Sequence, residues 1–129
     1  MNSMIKQVGG EHYEYGDPDN QHWDLMDRWD IEYLPATATK YIVRFDRKGT
    51  PKLDLEKSIS YLEKQLQCHP NKGCRRLVPL SEMEIWYQSN EVSGAKMVLL
   101  ELVLVEGAPR NLRQAIKILK EIISAEYNS

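Results

Sequence analysis

The chain has 129 residues, 42% of them hydrophobic and 28% charged, with a formal net charge of -2 at pH 7. That is enough apolar material for a single domain with a modest core, which excludes a disordered chain, and too little positive charge for broad binding to duplex nucleic acid, where many phosphates must be met at once. No run approaches the roughly 18 apolar residues of a membrane span, and residues 1–10 carry Lys6 and too few apolar side chains for a signal peptide, so the sequence reads as soluble and intracellular.

Residues 1–20 are rich in Gly, Asp, Asn and Tyr, show no sustained period, and are expected to form an irregular N-terminal arm. Helical spacing begins near His22: Trp23, Met26 and Trp29 fall three apart, with Asp24, Asp27 and Arg28 turned outward. Leu34-Pro35 suits the first turn of a second helix, whose buried stripe is Ala38, Tyr41, Ile42 and Phe45 and whose stop is Gly49. A third helix opens around Asp54, with Leu55, Ile59, Leu62 and Leu66 on its apolar face and Glu56, Lys57, Glu63 and Lys64 on the wetter one.

A linker over 68–79 separates this first helical unit, 21–67, from a second over 80–127. It holds the two cysteines, Cys68 and Cys74, around His69-Pro70-Asn71-Lys72-Gly73. The spacing is open to a small disulfide loop, to a zinc site that lacks an obvious fourth ligand, or to reduced thiols, the ordinary state inside a cell. Ser81 and Glu84 have the form of a capping box ahead of Met83, Ile85 and Trp86. Residues 92–105 are apolar on nearly every side and end at Gly107, which suits a helix at the centre of the domain or at a subunit interface. Glu101 interrupts that run and is expected to pair with Lys96 or with a cation from another subunit. The last helix, from about 110 to 126, aligns Leu112, Ile116, Leu119 and Ile123 on one face.

The same order of signals occurs twice. Gly49-Thr50-Pro51-Lys52 matches Gly107-Ala108-Pro109-Arg110, Met26 and Trp29 match Met83 and Trp86, and the leucine and isoleucine stripes of the two long helices correspond after one residue is dropped. The fold class expected is therefore all-α, two tandem three-helix units made by internal duplication, with a repeat of about 58 residues. The copies differ in chemistry: Lys40, Arg44, Arg47 and Lys48 of the first meet Val98, Leu102, Val105 and Glu106 of the second. The first copy reads as functional, the second as structural.

Lys40, Arg44 and Lys48 are four apart and can share one helical face, with Arg47 beside them and Gly49 allowing close backbone approach. Arginine offers a fork to phosphate oxygens and lysine a compact charge, so the set suits phosphates without a Walker loop; the plainer alternative is a solvated face paired with Asp46 or Glu56. In the arm, Gly9-Gly10-Glu11-His12-Tyr13 joins free backbone, a group that titrates near neutrality and a ring able to stack on a base; taken alone it reads as a turn. The carboxylates lack the spaced acidic runs with which helical nucleotide pyrophosphatases wrap magnesium, no nucleophile motif occurs, and no metal ligand is assigned.

Taken together, the arm Val8-Gly9-Gly10-Glu11-His12-Tyr13, the start Trp23-Asp24-Leu25-Met26, the run from Ala38 to Arg44, Arg47-Lys48-Gly49 and the segment from Asp54 to Glu63 resemble the phage nucleotide kinase-like proteins, over about residues 5–67. Pro35-Ala36-Thr37 departs from the Gly/Asn-like turn expected there, and the second half lies outside the pattern. The resemblance implies a phage-encoded helical protein of the host cytoplasm that transfers phosphate to deoxynucleoside monophosphates, with a nucleoside triphosphate as donor and magnesium as an optional companion. On that reading His12, Arg44 and Lys48 are catalytic, and Gly9, Gly10, Tyr13, Lys40, Tyr41, Arg47, Gly49 and Lys57 bind substrate, Tyr13 or Tyr41 meeting the base. The expected partners are nucleotides and further copies of the chain, with no membrane and no duplex nucleic acid. Two alternatives stand beside it: a non-catalytic protein that sequesters a nucleotide, and a helical interaction module that binds partner helices.

Overall fold

The computed structural model describes residues 18–127. The arm and its candidate residues Gly9, Gly10, His12 and Tyr13 lie outside the described residues. Within them the fold is all-helical, as the sequence predicts: α1 Pro18–Arg28, α2 Tyr33–Arg44, α3 Pro51–Cys68, α4 Leu80–Asn90, α5 Ala95–Leu100 and α6 Pro109–Ile122. Two π-helical segments extend the last pair, Glu101–Glu106 after α5 and Ile123–Tyr127 after α6. No helix among the described residues is long and apolar enough to cross a membrane.

Local chemistry sets the helix ends, not always where the sequence suggests. Helix α3 opens at Pro51, with Thr50 before it, rather than at Asp54; α6 opens likewise at Pro109. A proline at the first helical position has no N–H to leave unpaired and has its φ already set. Helix α2 stops at Arg44, short of Gly49, because the chain turns there: the Arg47 N–H reaches back to the Arg44 carbonyl at 2.9 Å. Ser81 is not a cap. Pro79 precedes α4 and its carbonyl accepts from the N–H groups of Glu82 and Met83, so Ser81 lies inside the first turn. Residues 18–20, expected in the arm, belong to α1.

The two halves repeat one order of elements. An 11-residue helix, a 12-residue helix and an 18-residue helix that begins with proline make the first half. The second has an 11-residue helix, a six-residue helix prolonged by a six-residue π segment, and a 14-residue helix that also begins with proline and is prolonged by five residues. A duplication accounts for this parallel and remains our proposal for its origin.

Helices α2 and α3 run antiparallel, since Ser58 Oγ donates to the Ala38 carbonyl at 3.0 Å while Arg44 meets Asp54. Helix α1 lies on α2, α6 packs on α3, and α5 with its π extension reaches α2 and α6. The core joins Ile42, Leu55 and Leu62 of the first half to Met83, Leu99, Leu100, Leu104, Leu112 and Leu119 of the second. The apolar α5 segment is thus central on one side, through Leu99, Leu100, Val103 and Leu104, while Val98 is 50% exposed. Lys96 does not pair with Glu101. Its ammonium donates to the Val43 carbonyl at 2.7 Å and meets Asp46 at 2.6 Å, and Glu101 instead accepts from the Tyr87 hydroxyl at 3.1 Å. Beside that carboxylate, the buried Tyr87 phenol titrates well above its ordinary value, through burial first and the Glu101 charge second.

The linker is fastened to the start of α2 by one carboxylate. Glu32 accepts from Gln65 Nε2 at 3.0 Å, from the Arg75 N–H at 2.6 Å and Arg75 Nε at 3.1 Å, and from the Arg76 N–H at 3.1 Å. Burial alone raises the Glu32 carboxyl, but the donors from Gln65, Arg75 and Arg76 outweigh it and hold the group below its ordinary 4.5. A depressed folded-state pKa contributes stability that is present above the unfolded value and lost as pH falls through the folded one. Glu32→Gln is therefore expected to cost about 2 kcal/mol at pH 7, by denaturant unfolding, with the gap to wild type closing below pH 4.5.

Candidate functional site

One face of the α2/α3 hairpin collects aromatic rings at one end and cations at the other. On α2, Tyr33 and Tyr41 are eight positions apart, so they share a stripe over about 12 Å of helix, and Lys40 and Arg44 flank Tyr41 on the same side. From α3, Lys57 and Tyr61, four apart, lean onto that stripe. Lys40 Nζ lies 4.8 Å from the centroid of the Tyr41 ring, Arg44 Cζ 4.9 Å and Lys57 Nζ 5.4 Å. Three cations from two helices therefore converge on one ring.

That ring has little open surface: Tyr41 is 9% exposed and stacks on Tyr61 at a centroid distance of 6.2 Å and an interplanar angle of 11°. Tyr61 in turn meets Tyr33 edge to face at 6.1 Å. The Tyr33 hydroxyl, through a hydrogen bond first and its charge second, pushes the Tyr61 phenol above its ordinary value. The outermost, Tyr33, is 69% exposed.

The electrostatics are set by what is and is not neutralised. Arg44 Nε meets Asp54 Oδ2 at 3.4 Å, and Thr50 Oγ1 donates to the other oxygen of that carboxylate at 3.5 Å. Asp54 is 1% exposed, so this is a partly buried pair that fixes the guanidinium on the α3 side of the cluster. The counterion differs from the Asp46 or Glu56 that the sequence suggests, since Asp46 is taken by Lys96 from α5. Lys40 and Lys57 add two more positive charges within about 5 Å of the same ring. The π face of Tyr41 offsets some of their repulsion, each contact contributing roughly 0.5 to 1 kcal/mol, and an anion between them would offset far more.

Of the residues predicted from sequence, the structure brings Lys40, Tyr41, Arg44 and Lys57 together. Arg47, Lys48 and Gly49 follow in the exposed turn after α2. Gly49 has no steric reason to be glycine among the described residues, because a Cβ there meets nothing within 4 Å. Sequence reasoning missed Tyr33 and Tyr61; the signal was the stripe of Tyr33 and Tyr41 facing Lys57 and Tyr61. Cys68 is exposed and Cys74 buried, both as free thiols, and burial with the Glu32 charge pushes the Cys74 thiol up to about 12. Among the described residues no group of three or more His, Cys, Asp or Glu side chains is placed to hold a metal ion.

A second cationic surface, Arg113, Lys117 and Lys120 on the outer side of α6, lines a shallow depression together with Glu121 and Ser124, and Lys120 lies 3.9 Å from Glu63. It presents no aromatic ring. No protein-family model matches the chain, and no curated protein or solved structure matches it, so the geometry of the Tyr41 cluster carries the functional reading.

Proposed function

We propose that the protein binds a nucleoside phosphate on the α2/α3 face, its phosphate held by Lys40, Arg44 and Lys57, and that it transfers a phosphoryl group to deoxynucleoside monophosphates in the manner implied by its resemblance to the phage nucleotide kinase-like proteins. The observation that supports this is the convergence of three cations on the Tyr41 ring. Phosphoryl transfer needs positioning and neutralisation of developing charge more than covalent chemistry. An oxygen of the acceptor monophosphate attacks the terminal phosphorus of the donor triphosphate as the bond to the bridging oxygen breaks, and fixed cations stabilise the oxygens between. Arg47 and Lys48, in the turn beyond Arg44, extend the positive field along the path a triphosphate would follow. Asp54 is bonded to Arg44 and Thr50, so a magnesium ion would arrive on the triphosphate rather than on this carboxylate.

The test is titration calorimetry with deoxynucleoside monophosphates on the wild type and on Lys40→Glu with Lys57→Glu. Each inverted charge is expected to cost about 2 kcal/mol, so binding should weaken by two orders of magnitude or more, with the helical circular dichroism unchanged. Unchanged affinity removes the cluster from the site. Incubation with a triphosphate, followed by a search for new diphosphates, then separates a kinase from a protein that sequesters the nucleotide.

A further inference from the structure

We infer that Tyr33 is the base platform of this site, and that its ligand is an aromatic-base nucleotide laid along the hairpin with its base on Tyr33 and its phosphate among the cations at Tyr41. The inference deepens the nucleotide-binding reading and rests on it. Sequence gives the base to Tyr13 or Tyr41, but the structure leaves little of Tyr41 to stack upon, since Tyr61 lies parallel to it and three cations surround it. The face open to a ligand belongs to the other end of the row. Tyr33 is 69% exposed, the most open large apolar side chain in the described structure, and it is the first residue of α2.

Two features make this more than an exposed ring. Tyr33 is supported from behind, its ring held edge to face against Tyr61, which is itself stacked on Tyr41. A platform so braced loses little freedom when a base covers it. The row also has direction: a bare aromatic ring at the Tyr33 end, and Lys40, Arg44 and Lys57 at the other, about 12 Å along the helix. Base, sugar and phosphate follow one another in that order in an extended nucleotide. Stacking tolerates any base, because each has a π face, so this platform distinguishes nucleotides from sugar phosphates and selects weakly among bases.

The experiment compares AMP with ribose 5-phosphate, which has the same phosphate and sugar but no base, by titration calorimetry on the wild type, Tyr33→Ala and Tyr33→Phe. The wild type should prefer AMP by about tenfold or more; the preference should collapse toward one in Tyr33→Ala and persist in Tyr33→Phe, which keeps the ring. Ribose 5-phosphate affinity should be the same in all three. A preference that survives in Tyr33→Ala overturns the platform while leaving the phosphate cradle intact. If the wild type binds neither compound, the nucleotide-binding reading itself fails. A wild type that binds oligothymidylate far more tightly than TMP, with that excess lost in Tyr33→Ala, overturns the mononucleotide as occupant in favour of a single strand.

Discussion

Gly73→Ala is expected to destabilise the protein by about 3 kcal/mol or more, or to force the linker off the head of α6. Gly73 has a φ of +73°, which an alanine adopts only with strain. The Cβ would also fall inside contact distance of the Gly107 carbonyl oxygen, 3.0 Å from Pro109 N and 3.1 Å from the Ala108 carbonyl carbon. All three are backbone atoms and cannot turn aside as a side-chain tip would. The displaced Gly107 carbonyl is the one that accepts from the Cys74 N–H at 2.8 Å, and the Gly73 carbonyl accepts from buried Gln65 Nε2 at 2.8 Å, so the strain spreads into both bonds. Gly107→Ala offers the contrast. Its φ is +68°, but the nearest atom to a new Cβ is Leu77 Cδ2 at 2.5 Å, the end of a partly exposed side chain that can swing away. Urea unfolding of the two variants should place Gly73→Ala well below Gly107→Ala; equal midpoints would mean that the linker adjusts freely.

Arg44→Glu is the second large effect, and it is an effect on folding as much as on binding. Asp54 is 1% exposed, and Arg44 Nε is the cation beside it. Inverting Arg44 places two carboxylates together and leaves the buried one without its counterion, at a cost of about 3 kcal/mol. Loss of nucleotide binding in this variant would then say little about the site. Arg44→Met with Asp54→Leu removes both charges at once and should recover most of the stability while the phosphate affinity stays low. Denaturant midpoints of the single and double variants decide the matter, and a single variant as stable as wild type would show that Asp54 does not need its partner.

Much of the scaffold was legible because periodicity is a local signal. Leu55, Ile59 and Leu62 on α3, and Leu112, Ile116 and Leu119 on α6, are buried as their spacing predicts, whereas the helix starts lie at Pro51 and Pro109, ahead of the Asp54 and residue 110 that the sequence suggests. The misreadings arose where a local signal met a distant competitor. Ser81 and Glu84 have the letters of a capping box, yet the helix begins a residue earlier and the Pro79 carbonyl takes the Met83 N–H, one of those that a cap at Ser81 would serve. Lys96 and Glu101 look like a pair along one helix, until Asp46 and the Val43 carbonyl approach from the first half. The basic residues were readable as a group, but which of them converge was not. Lys57 joins Lys40 and Arg44 only because the hairpin brings α3 across, and the partner of Arg44 is ten residues away around a turn that the sequence placed differently. Tyr33 escaped notice for the same reason: its backing ring, Tyr61, lies on the neighbouring helix.

The ammonium of Lys96 gives the greasy trailing half a part in the electrostatics of the leading one. By gripping Asp46 it withdraws from the basic segment the acid that stands nearest to it in the chain, and by sitting on the Val43 carbonyl it covers the negative pole of α2. A fragment cut before α5 would lose that stopper, and the unmasked carboxylate and helix end would compete with any phosphate for the same guanidinium and ammonium groups. The second unit is therefore more than a packing surface for the first: through Lys96 it sets the charge at the end of α2.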